Sequence, residues 1–83
     1  LLDKEFYVVN TYINQSRLAS ARHRLEQIKQ HFDLESDGTQ DKLFFYQAKL
    51  AKCENNLDEL HQMVDDLTAL YPRSQFTAMA SRL

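Results

Sequence analysis

The side chains with chemistry to offer in this 83-residue chain are three histidines, one cysteine and twelve carboxylates. Asp58, His61 and Asp65 stand at i, i+3 and i+7, so on a helix they share one side and could face a divalent ion together. A zinc site takes three or four protein ligands with an ordered second shell, and His61 is the only strong zinc ligand of the trio. The trio therefore reads as a solvated acidic face. His23 and His31 have no evident carboxylate partner, and Cys53 with His61 is not a dyad motif; Cys53 reads as a buried or half-buried thiol. Asp65 and Asp66 are adjacent and point to different sides of a helix, which makes them a poor acid–base couple. With one glycine in the chain there is no Gly-rich loop to cradle phosphate. No catalytic residue, metal or cofactor is expected, and the chain does not read as an enzyme.

Composition narrows the class. Hydrophobic content of 43% and charged content of 27% are ordinary for a soluble globular chain. One Gly, one Pro and no β-branched run point to an all-helical single domain over residues 1–83. A net charge of −2 gives no support for nucleic-acid binding. No apolar run approaches the roughly 20 residues of a membrane span. The single Cys53 cannot form an intramolecular disulfide. The chain starts at Leu1 inside a helical pattern, with neither a signal peptide nor an initiator Met, and so reads as a piece of a longer protein.

The stretch from Asn55 to Phe76 carries the fullest helix signal and is expected to organise the rest. Leu57, Leu60, Met63, Val64, Leu67 and Leu70 form one apolar stripe. Asn55 and Asn56 suit a left-handed helix end and a cap. Asp58 and Glu59 meet the positive end of the helix dipole. Pro72 stops the helix, and Ser74 can cap a terminal segment with Phe76, Met79, Ala80 and Leu83 at helical spacing.

Upstream, residues 3–15 predict a helix with Phe6, Val9 and Ile13 on one face and Val8 and Tyr12 on the next. Ser16 to Phe32 predicts a second, capped by Ser16 and striped by Leu18, Ala21, Leu25, Ile28 and Phe32. Residues 33–39 form the one clear loop, with Asp37-Gly38 as its turn and Thr39 as a cap for the next helix. That third helix, over residues 40–54, puts Phe44, Ala48 and Ala51 on one face and Phe45, Lys49 and Lys52 on another. Charge is split along the chain. Residues 16–31 carry four bases against Glu26, and residues 54–66 carry five acids. Opposite charges of this kind fix the register of neighbouring helices; the alternative is a surface divided between two partners.

The chain also repeats. Leu18, Leu25 and Ile28 superpose on Leu57, Val64 and Leu67 at an offset of 39 residues, and HFD at His31–Asp33 falls near YPR at Tyr71–Arg73. Each unit is a helix, a tight turn and a second helix. In this the chain resembles the tetratricopeptide repeat. Measured back from Pro72, the family's small first-helix residue falls on Ala48, its large one on Phe44, its turn-packing residue on Leu57 and its late second-helix residue on Leu67. Leu60, Gln47 and Asn55 depart from the family's Ala, Leu and Gly, Asp33 stands near its expected Pro, and the offset exceeds the usual period of about 34. The units run over about 2–34 and 41–72, with a terminal helix at 74–83.

A narrower likeness lies in Tyr71-Pro-Arg-Ser-Gln-Phe76 followed by Ala80 and Arg82-Leu83, and in Glu5-Phe-Tyr-Val-Val9 followed by Ala21 and Arg24-Leu25-Glu26. These are similar to stretches of the BamD-type lipoprotein family of the outer-membrane β-barrel assembly machinery; the tetratricopeptide domain of the Tol–Pal coordinator shares the first. The resemblance implies a protein–protein interaction scaffold, periplasmic and outer-membrane associated, with other barrel-assembly subunits as partners. Cys53 lies mid-helix, so a lipid anchor would lie outside this piece. A generic tetratricopeptide adaptor for a peptide or protein, cytoplasmic included, is the alternative, and a small helical metal-binding domain the remote one. The resemblance also places Phe6, Asn10, Phe45, Lys49 and Lys52 on the concave, partner-binding surface.

Overall fold

The apolar spacing resolves into helices in the computed structural model, which describes residues 2–83. They are α1 (Leu2–Asn14), α2 (Leu18–His31), α3 (Leu34–Asp37), α4 (Gln40–Cys53), α5 (Leu57–Leu70) and α6 (Gln75–Ala80). The described residues contain no strand, so their fold is all-α. No helix among them is long and apolar enough to cross a membrane.

Two hairpin turns are built alike. Ser16 between α1 and α2 has φ 60°, and Asn55 between α4 and α5 has φ 61°. The N–H of each left-handed residue donates to a carbonyl three positions back, Ser16 to Ile13 at 3.0 Å and Asn55 to Lys52 at 3.1 Å. The next N–H reaches back five, Arg17 to Tyr12 and Asn56 to Ala51, both at 2.8 Å. This is the Schellman ending, which satisfies carbonyls that a helix end otherwise leaves bare. Ser16 is thus not the expected N-cap of α2: it terminates α1, and the cap position falls on Arg17, with no side-chain cap bond. Asn56 does cap, accepting from the Glu59 N–H at 3.2 Å.

The loop expected over 33–39 holds a helical turn, α3. Asp33 Oδ1 accepts from the Ser36 N–H at 3.3 Å, and Gly38, at φ 70°, ends the turn in the same manner as Ser16 and Asn55. The turn carries Leu34 into the core, 6% exposed. Thr39 does not cap α4; its hydroxyl is buried without a partner.

Helix α4 is the centre. It touches α1, α2, α3, α5 and α6, and Leu43, Phe45, Ala48, Leu50 and Ala51 are buried around its circumference. The expected organiser, the Asn55–Phe76 stretch, lies to one side. Ala48 and Ala51 are fully buried, and without long side chains at those positions neighbouring backbones come close. One core gathers Phe6, Val9, Ile13, Ala21, Leu25, Ile28, Leu34, Leu43 and Leu50. A second gathers Phe45, Leu67 and Ala80.

On α5 only Leu67 is buried, whereas Leu57 is 55% and Leu70 60% exposed. The expected single buried stripe is therefore covered at one level only, because α6 spans just 6 residues. Ser74 caps α6 as expected, accepting from the Phe76 N–H at 3.0 Å. Cys53, expected to be at least half-buried, is exposed: it ends α4, beyond the last buried residue, Ala51.

Leu67→Ala is expected to cost about 2–5 kcal/mol through lost transfer energy and a cavity, read as a lowered thermal midpoint. Ser16→Gly is expected to stabilise by about 1 kcal/mol, because a side chain at positive φ is strained and glycine is not; a denaturant titration measures it.

Candidate functional site

The structure divides the five residues expected on one surface. Phe6 and Phe45 are in the two cores, 1% and 6% exposed. They are not the open apolar floor the sequence suggested: the contacts expected of a peptide are made by the chain itself. Phe6 stacks on Tyr46 at 5.6 Å between centroids, and Phe45 meets Tyr46 edge-on at 5.2 Å and Phe76 at 5.7 Å. The polar three remain at the surface. Lys49 Nζ donates to Asn10 Oδ1 at 2.8 Å, joining α4 to α1 across the 39-residue offset. Lys52 is exposed, and its amine donates to the Leu83 backbone carbonyl.

Two further residues complete this strip. Lys42 lies seven before Lys49 on the same face of α4; its Nζ is 3.6 Å from Asp3 Oδ1 and 5.0 Å above the Phe6 ring. Tyr46, between them, is the half-buried ring that remains in place of the two buried phenylalanines. The spacing Lys42–Tyr46–Lys49 is legible in the sequence at i, i+4 and i+7. Phe44 and Phe45 obscure it by suggesting the apolar faces first. The strip is cationic, rigidly backed by stacked rings, and held by partners of low strength: an aspartate that is 92% exposed, a neutral amide and a carbonyl. Such amines exchange readily onto a carboxylate that arrives with better geometry.

Elsewhere, some of the charges are engaged with one another. Arg22 on α2 donates to Glu54 at 2.5 Å and to Glu59 at 2.8 Å, tying the second helix of one hairpin to the turn of the next. Those bonds, to Glu54 first and then Glu59, raise the guanidinium pKa further against a smaller desolvation penalty. Arg24 pairs with Glu5 at 3.1 Å. Of the split charge, only Arg22 with Glu54 and Glu59 joins the basic stretch to the acidic one among the described residues. Asp58, His61 and Asp65 are exposed, and no group of three His, Cys, Asp or Glu among the described residues could hold a metal.

No family model matches the chain, and no curated protein or solved structure matches it.

Burial raises the Tyr46 phenol above its ordinary 10.0. The native state then keeps that proton to higher pH than the unfolded chain does. The contribution is complete below about pH 10 and is lost as pH rises through the raised value. Urea midpoints measured on either side of about pH 10 should fall on the alkaline side, and Tyr46→Phe should flatten that fall.

Proposed function

We propose that this chain is a protein-interaction scaffold, a tetratricopeptide-like stack of two helix–turn–helix units and a terminal helix, whose α4 lysine strip receives a carboxylate-bearing segment of a partner. The observation that supports it is the alignment of Lys42, Lys49 and Lys52 on one side of α4, each held only by a weak internal partner over a bed of stacked rings. The amines supply charge, Asn10 supplies an amide for backbone groups, and Tyr46 supplies the accessible aromatic edge. The offset between the two Schellman turns and the Asn10–Lys49 bond across equivalent positions support the stacked-repeat reading. The resemblance of the Tyr71–Phe76 and Glu5–Val9 stretches supports a place beside the BamD-type lipoproteins, with barrel-assembly subunits as partners at the periplasmic face of an outer membrane. A general adaptor role for carboxylate-bearing peptides needs the strip alone and not that location.

Charge reversal tests it. Lys49→Glu with Lys52→Glu should weaken binding to barrel-assembly subunits, or to a carboxylate-terminated peptide, by at least about tenfold while leaving the helical melt within about 1 kcal/mol. Equal binding by the reversed variant would move the interface to the basic Arg17–Lys29 face of α2.

A further inference from the structure

We infer that a second, separate surface, the groove between α5 and α6, receives an amphipathic helix of a partner that carries Lys and Arg beside an aliphatic stripe. The groove measures about 480 Å3, with Leu60, Val64, Ala80 and Leu83 in it and His61 and Asp65 among its walls.

The internal repeat shows how the equivalent face of α2 is covered. Leu60 and Val64 on α5 stand at the positions of Ala21 and Leu25 on α2. Ala21 is 0% and Leu25 1% exposed, and the next long helix, α4, has 14 residues. The helix that comes after α5 is α6, of 6 residues, which ends at Ala80. Leu60 and Val64 are left half-buried and Leu57 exposed beyond them. An apolar face of this shape, short of a helix along one side, fits the apolar stripe of another helix.

Charge names the occupant. From Glu54 to Pro72 there is no Lys or Arg, while Asp58 and Asp65 are exposed with no ion pair among the described residues. The fold already uses this complementarity once: Arg22 of α2 reaches the carboxylates of Glu54 and Glu59. At the position of Arg22 on α5 stands His61, exposed and facing the groove. A helix with basic flanks would meet Asp58 and Asp65 as its aliphatic side chains cover Leu60 and Val64. An acidic helix would be repelled there; a second copy of this chain would bring either α2, whose Arg22 and Arg24 are already paired, or the α4 strip, whose Leu43 and Leu50 are buried and offer no aliphatic stripe.

The test uses two synthetic helical peptides with the same leucine stripe, one flanked by Lys and Arg and one by Glu. The basic peptide should shift the amide resonances of Leu60, Val64 and Ala80, and the acidic one, which the α4 strip can take, should shift those three at concentrations at least about tenfold higher. Asp58→Lys with Asp65→Lys, both at exposed positions, should reverse that preference at the three resonances. Equal shifts of those three resonances by both peptides, or by neither, overturn the inference. So does a concentration-dependent shift of the same resonances without peptide, which would give the groove to a second copy. Loss of peptide binding when the chain is extended past Leu83, with Leu60 and Val64 newly covered, would give it to the chain itself.

Discussion

The rest of this fold depends on one helix that buries side chains on more than one face. Helix α4 buries Leu43, Phe45, Ala48, Leu50 and Ala51, and every other helix packs on it. A helix of that character has to be central, because each of its apolar faces costs free energy if left in water, and only the lysine side stays open. Burying a leucine or phenylalanine there is worth about 1.5–3 kcal/mol, several times what an exposed ion pair contributes. The two alanines matter for a different reason. They add little area, but they set how near α1, α2 and α5 can come, and so how well the larger side chains interlock.

Electrostatics is secondary in size and specific in effect. The Arg22 bonds to Glu54 and Glu59 leave all three side chains partly in solvent, so their net contribution is about 1 kcal/mol or less. Packing alone would tolerate some sliding of one hairpin along the other. A forked guanidinium shared by two carboxylates does not, since a shift of one helical turn parts them. Asn10–Lys49 and Asp3–Lys42 are weaker links between α4 and α1, each joining positions the same distance apart in the chain. The two lysines that link α4 to α1 are thus members of the proposed binding strip.

Much of the architecture is legible in spacing and turn chemistry. The helices at Phe6–Ile13, Leu18–Ile28 and Leu57–Leu67 follow from period, and Asn55-Asn56 announces both a left-handed ending and a cap. Ser16 misleads because its side chain suits a cap, while the backbone there needs a residue to reverse the chain. The turn at Leu34–Asp37 is hidden by its polar composition, although Asp33 and Gly38 are in place to start and stop it. The site is harder. Period assigns a residue to a face but does not say which faces find a neighbour, so Phe45 and Lys49 look equivalent although one is core and the other surface. The same ambiguity makes α5 look fully covered.

Phe44 and Tyr46 border both hydrophobic cores, one around Leu25 and Leu50, the other around Leu67. The consequence is cooperativity. Stacks of helical repeats often melt piecemeal, since each unit holds only to the next. Here the two hairpins share one helix and two aromatic rings, so neither core can open without unpacking a wall of the other. Losing the α5–α6 end uncovers one side of Phe44 and Tyr46, and losing α1–α2 uncovers the opposite side. The hairpins are separate in sequence but are expected to unfold as a single thermodynamic unit, and the polar strip above Tyr46 lies on the seam that joins them.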